Sequence, residues 1–159
     1  MSVTSVEIEL KGAMNSRKIS MIFLIASISI IGFALHLFWE YLQCSPLYIH
    51  LKVVPTFWSM INATFGDVSI LWSSYLIVAA FRKSFVWPWD STSLISFALL
   101  AFISAVISEF IEYFAIIRQL WFYNLINPTI NGISVVPFFQ MAFINPLTIL
   151  IAKKTFTTK

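Results

Sequence analysis

Residues 94–117 read LISFALLAFISAVISEFIEYFAII, an unbroken apolar run with no charged side chain until Glu109 and Glu112 near its end. A helix rises about 1.5 Å per residue and the hydrocarbon of a bilayer is roughly 30 Å thick, so about 20 such residues cross it. The run is too long and too continuous for the alternating, roughly ten-residue strands of a membrane barrel. A transmembrane helix is therefore the reading, because in lipid each backbone polar group must be paired within the segment.

Working outward, the same pattern recurs from about Ile19 to Leu42, from about Phe57 to Phe81 and from about Ile133 to Ala152. The second run stops at Arg82-Lys83, and a loop with Trp87, Pro88, Trp89 and Asp90 leads to residue 94. A loop with Trp121, Tyr123, Pro128 and Gly132 precedes the fourth run, which Lys153-Lys154 closes. The expected fold is all-α: a polytopic membrane protein with four transmembrane helices in a single domain over residues 19–154. A polar cytoplasmic segment, residues 1–18, precedes it, and a short cytoplasmic tail, residues 155–159, follows. A basic lead before an apolar run also describes a signal peptide. Here the run is too long and lacks a small-residue cleavage motif, so a retained helix is expected.

Composition agrees. The 159 residues are 59% hydrophobic and 11% charged, whereas soluble domains carry about 25% charged residues. With a mean hydropathy of +0.87, the chain lacks the polar surface that water requires. The net charge of +3 raises the question of nucleic acid, but the basic residues flank apolar runs and read as topology determinants. No nucleic-acid partner is expected. Cys44 is the single cysteine, so it forms no intrachain disulfide and no paired zinc spacing. Phosphate-loop, zinc-helix and Ser-His-Asp patterns are missing, and neither a cofactor nor a metal is expected.

Orientation follows from the positive charges, which concentrate on cytoplasmic loops. One side receives Lys11, Arg17, Lys18, Arg82, Lys83, Lys153, Lys154 and Lys159; the other receives Lys52 and Arg118. Both termini are thus expected in the cytoplasm, in a multi-pass protein of the inner (plasma) membrane. Trp87 and Trp89 then fall at the inner interface, and Trp39, Trp58 and Trp121 near the outer one, as aromatic belts require.

Ionisable side chains inside membrane segments are costly and face a bundle interior or a water-filled cavity. Here they are His36 and Glu40 in the first run, Asp67 in the second, and Glu109 and Glu112 in the third. Successive helices alternate in direction, which places all five at similar depth in the outer half. His36 and Glu40 are four residues apart and Glu109 and Glu112 three apart, so each pair shares a helix face. Four carboxylates and a histidine cannot all be charged in a low-dielectric pocket; some must be protonated, hydrogen-bonded or paired with a cation. These five are the candidate catalytic residues. Candidate substrate contacts are Trp39, Trp121 and Tyr123, Arg118 as a cap on the cluster or a partner for a lipid phosphate, and Gln140 as the residue that completes the polar site. The fourth run also presents Pro137, Asn145 and Pro146, and its prolines free backbone carbonyls.

Plainer readings stand beside these. Glu40 lies near the outer interface, where a carboxylate snorkels into water at little cost. His36 alone is as readily a hydrogen-bonded packing residue, and Asp67, after Gly66, suits a late helix start as an N-cap. Glu109 and Glu112 lie deeper and are harder to explain away.

The strings His36-Leu-Phe-Trp39-Glu40-Tyr-Leu-Gln43, Pro46-Leu-Tyr48, Gly66-Asp67, Glu109, Trp121-Phe-Tyr123, Pro128, Gly132, Pro137, Gln140 and Pro146 resemble a family of small bacterial four-helix inner-membrane proteins. That resemblance covers most of the chain from the first apolar run onward and implies a fold, not a reaction. Trp121-Phe-Tyr123 with the later Pro137-Phe-Phe-Gln140 is similar to the tail of small membrane lycopene cyclases. Those cyclases place a carboxylate pair after the proline, where this chain has Phe139 and Gln140. The His36/Glu40 spacing with further acidic residues also looks like sterol-isomerase-type membrane proteins.

Three functions fit these observations. One is an enzyme acting on an isoprenoid or other membrane lipid by proton addition and removal, with His36 or Glu112 as donor and another carboxylate as acceptor. Another is a non-catalytic subunit or chaperone whose polar groups hold a membrane-protein partner. The third is a proton- or cation-coupled transporter, against which stands the absence of acidic residues in the inner half.

Overall fold

The computed structural model describes the backbone of residues 3–50, 56–90 and 93–157, and the side chains of residues 21–49, 56–90 and 93–155. Lys52, Lys159 and the side chains of the polar leading segment, on which part of the orientation argument rests, lie outside the described residues. Five helices and four short strands follow in the order α1 (Val3–Leu47), β1 (Tyr48–His50), α2 (Phe57–Arg82), α3 (Trp87–Asp90), α4 (Leu94–Ile117), β2 (Trp121–Tyr123), β3 (Thr129–Ile130), β4 (Ile133–Ser134) and α5 (Val136–Thr157). Among the described residues, four helical stretches are long and apolar enough to cross a membrane: Met21–Leu47, Phe57–Arg82, Leu94–Ile117 and Val136–Thr155. The chain is an all-α, multi-pass membrane protein.

α1 packs along α2 and α5, and α4 closes the ring against α2 and α5. One end carries the α2–α3–α4 connection and the basic residues Arg82, Lys83, Lys153 and Lys154. It is packed solid: Leu24, Ile28, Leu71, Tyr75, Val78, Trp87, Phe97, Leu100 and Ile149 form one buried cluster. The short α3 is locked there by Tyr75, whose hydroxyl donates to the Phe85 carbonyl at 2.5 Å, and by Lys153 Nζ, which donates to the Pro88 carbonyl at 2.7 Å. Ser84 also donates to Asp90. Lys83 ends α2 in a left-handed conformation (φ 52°), its N–H reaching the carbonyls of Ala79 and Ala80, as helix ends require.

The opposite end is capped by strands. β1 pairs antiparallel with β2, with Tyr48 opposite Tyr123 and His50 opposite Trp121, and β3 pairs with β4. Asn124 Nδ2 donates to the Pro46 carbonyl and Asn127 Nδ2 to the Leu47 carbonyl, tying the end of α1 to the α4–α5 connection. Asn131 (φ 53°) and Gly132 (φ 80°) form the two-residue turn between β3 and β4. Both central residues need positive φ, which explains the Asn-Gly pair.

These ribbons were not expected from the apolar runs, and they move two boundaries. Helix α1 extends beyond Leu42 to Leu47, and Ile133–Ser134 belong to β4 rather than to the fourth helix, which starts at Val136. Pro137 therefore sits in the first turn of α5, where no helical hydrogen bond is lost, and Pro146 is the proline inside that helix. Helix α2 begins at Thr56, whose hydroxyl accepts from the Ser59 N–H while Ser59 Oγ accepts from the Thr56 N–H. This capping box removes the reading of Asp67 as an N-cap, since Asp67 stands mid-helix.

Midway along the bundle lies Gly32. A methyl group placed there would come within 2.8 Å of Leu71 Cδ2 and 3.4 Å of Thr148 Cγ2. The missing side chain lets α1 approach α2 and α5 closely, the usual use of small residues between membrane helices. One turn toward the capped end, the same face of α1 presents His36.

Candidate functional site

His36 is fully buried, and its position one turn from Gly32 puts it within reach of both neighbouring helices. Its Nε2 lies 2.9 Å from Asn145 Oδ1 on α5, and its Nδ1 lies 3.2 Å from Gln140 Nε2. Asn145 Nδ2 faces Met141 Sδ at 3.7 Å, which leaves its oxygen for the ring. An amide oxygen only accepts and an amide nitrogen only donates, so these contacts fit the neutral tautomer with the proton on Nε2 and a lone pair on Nδ1. That lone pair accepts from Gln140, and Asp67 Oδ2 lies 3.5 Å from the same Nδ1.

Gln140 is the hub. Its Nε2 donates to Asp67 Oδ2 at 2.9 Å as well as facing His36, and its Oε1 accepts from Gln43 Nε2 at 3.1 Å. Gln43 Nε2 also donates to Glu40 Oε1 at 2.6 Å, and Gln43 Oε1 accepts from Trp39 Nε1 at 2.7 Å. The network thus runs from Asn145 through His36, Asp67, Gln140 and Gln43 to Glu40 and Trp39. Three helices contribute, and Glu40 lies against Asp67.

Beside this network is a cavity of about 500 Å³ lined by all four long helices and by Leu120 and Trp121. That volume lies within the range of small-molecule sites, roughly 300–1,000 Å³. Glu40, Asp67 and Gln140 occupy one wall and Glu112 the other, with Met60, Ile70, Ile111 and Met141 supplying apolar surface. Glu112 is only 4% exposed and accepts a hydrogen bond from Trp121 Nε1 at 3.2 Å. Tyr48 lines the cavity next to Trp121, their ring centroids 6.1 Å apart in an edge-on arrangement. Burial pushes the Tyr48 hydroxyl far above the usual phenol range, and the nearby Glu112 carboxyl pushes it further. Tyr123 is shifted upward as well, mainly by burial. Both phenols therefore remain O–H groups well into alkaline conditions.

Toward lipid, the cavity is bounded by Asn62, Ala63 and Gly66 of α2 and Ile111 of α4, all of them exposed side chains or backbone. A methyl group built on Gly66 meets nothing within 4 Å. The cavity thus reaches exposed residues of both α2 and α4, and its open edge lies between these two helices.

The expected site residues thus divide. Glu40, Asp67, Glu112, Trp121 and Gln140 line the cavity. His36 and Trp39 stand behind that wall and reach the cavity through Asp67 and Gln43. Glu109 is on α4 but outside the lining; its Oε1 is buried with no hydrogen-bond partner. Arg118 is exposed at the C-cap of α4 and does not reach the cavity. Tyr123 lies in the cap beneath Tyr48, with ring centroids 5.9 Å apart. Sequence reasoning left out Gln43 and Tyr48 and gave Asn145 no role. Gln43 follows Glu40 by three residues and Trp39 by four, the spacing of side-chain contacts on one helix face. Among the described residues, no three His, Cys, Asp or Glu side chains converge as a metal-binding set.

No family model, curated protein or solved structure matches this chain, so its functional reading rests on the cavity and the network behind it.

Proposed function

We propose that the protein binds a membrane lipid or isoprenoid in this cavity and transfers protons on it, as an acid/base enzyme of the inner (plasma) membrane with its strand-capped end facing outward. The observation that carries the reading is Asp67: a carboxyl on the wall of a largely apolar cavity, oriented by Gln140 and lying 3.5 Å from Nδ1 of a buried histidine. A carboxylate within reach of an imidazole and of a second carboxyl is the equipment of general acid/base catalysis.

In this reading Glu40 and Asp67 act as a pair, one protonated and one ionised. The protonated member gives its proton to one carbon of a substrate double bond, and the ionised member removes a proton from a neighbouring carbon. The double bond shifts, the substrate keeps its composition, and the pair ends with its proton exchanged between the two sites. His36 touches no substrate; it is a positioning residue that stands behind Asp67 and shares the Gln140 amide with it. The carboxyls lie in an interior shielded from water, where their effect on a developing charge is strongest.

The test uses protein purified with its native lipid and incubated in deuterated water. Stable deuterium in the carbon skeleton of the retained lipid is expected for wild type and its loss is expected for Asp67→Asn, with the lipid still bound. Retained lipid without deuterium in either protein contradicts the enzyme reading.

A further inference from the structure

We infer that the corner formed by Glu112, Trp121 and Tyr48 is a binding site for an ammonium group, so that the ligand of the cavity is an amphipath with a primary amine at its polar end. This rests on the proposed lipid-binding role of the cavity and adds the chemical class of the headgroup.

Two independent observations point there. The first is charge: Glu40, Asp67 and Glu112 line the cavity, and among the described residues no Lys or Arg does. A phosphate or carboxylate headgroup would find no positive side chain there, and each ionised carboxyl would repel it in a low-dielectric space. The second is the hydrogen-bond inventory. The amide nitrogens of Gln43 and Gln140 are engaged by Glu40, Asp67 and Gln140 Oε1, and Trp121 Nε1 is engaged by Glu112. Apart from Asn62 at the exposed edge, the amide and indole donors of the wall are thus committed to the protein's own acceptors, and carboxyl oxygens are prominent among the polar atoms a ligand meets. A matching ligand supplies donors and positive charge.

The Glu112 corner suits an ammonium best. The carboxyl is almost wholly buried yet on the cavity wall, and it is flanked by the rings of Trp121 and Tyr48. An indole and a phenol beside a carboxylate attract a desolvated cation through both ring quadrupoles and direct charge. Glu112 lies on α4, across the cavity from the Asp67 wall, so the headgroup anchor and the proton-transfer pair are separate. The opening between α2 and α4 at Gly66 leads in from the bilayer, the route that a chain-bearing amine requires.

The experiment is competitive retention by native mass spectrometry in detergent, with dodecylamine, dodecanol and dodecyl phosphate as probes of equal chain length. Wild type should favour dodecylamine over dodecanol by about tenfold when both are offered at equal concentration and should retain no dodecyl phosphate. Glu112→Gln should lose that preference while still retaining dodecanol, which shows that the cavity survives. Glu109→Gln, on the same helix but outside the cavity lining, should keep it. Equal retention of all three probes, preference for the phosphate, or an unchanged preference in Glu112→Gln overturns the ammonium site and leaves the lipid-binding role standing. Retention of no probe by wild type overturns both.

Discussion

Gly32→Ala should destabilise the protein by about 1–3 kcal/mol, the usual cost of inserting a methyl group into a packed core, and Gly32→Leu should keep the bundle from closing. The added carbon meets Leu71 Cδ2 at 2.8 Å, and Leu71 is itself fully buried, with no open space into which to turn. The neighbouring Thr148 is equally buried and its hydroxyl is fixed to the Ile144 carbonyl at 2.8 Å. α1 must therefore move away from α2 and α5, and His36, one turn further on, loses its reach to Asn145 and Asp67. The cost should be coupled to Leu71. A double variant carrying Leu71→Ala should be less destabilised than the two single effects added, because the smaller side chain admits the methyl group. Denaturation in detergent micelles reads all three. Strict additivity would show that this contact does not set the helix spacing.

Gln140→Leu should cost roughly 2 kcal/mol or more, the largest effect of any polar substitution in the site. Hydrogen bonds between membrane helices average only about 0.6 kcal/mol, because the separated helices find other partners. Gln140 is different in joining three helices through a single amide. Without it, Asp67 Oδ2 and His36 Nδ1 lose a shared donor and Gln43 loses an acceptor, and a buried polar group left unpaired costs about 1–3 kcal/mol. Gln140→Glu provides the control. It preserves shape but puts an oxygen where the amide nitrogen faced Asp67, so it should be at least as disruptive as leucine. Two variants as stable as wild type would mean that the network does not hold the helices together.

The four crossings were legible because apolar length is a one-dimensional property: a run such as residues 94–117 has no other stable form in lipid. That Glu40, Asp67 and Glu112 come to one level of the bundle was legible too, since helix direction alternates. Partnership was not. His36 and Asn145 are far apart in sequence and meet only because Gly32 lets α1 and α5 approach, and nothing in either run announces that pairing. Glu109 and Glu112 looked equivalent at their three-residue spacing. The small rotation between them sends Glu112 into the cavity and Glu109 out of it. The cap carried a readable signal in Asn131-Gly132 between Ile130 and Ile133, a pattern of two-residue hairpins that the search for spanning helices passed over. The cavity itself is lined by side chains of all four long helices, which only the packed bundle brings together.

Lipid binding in the cavity between α2 and α4 is tested most directly at Gly66. The glycine faces open space and has no need of positive φ, so Gly66→Trp can be accommodated by the helix while its ring fills the cavity between α2 and α4. Native mass spectrometry of the protein purified from its own membrane should show a retained lipid on wild type and none on Gly66→Trp, at unchanged thermal stability. Equal retention by the two proteins would contradict the account, because the lipid would then be held outside the cavity.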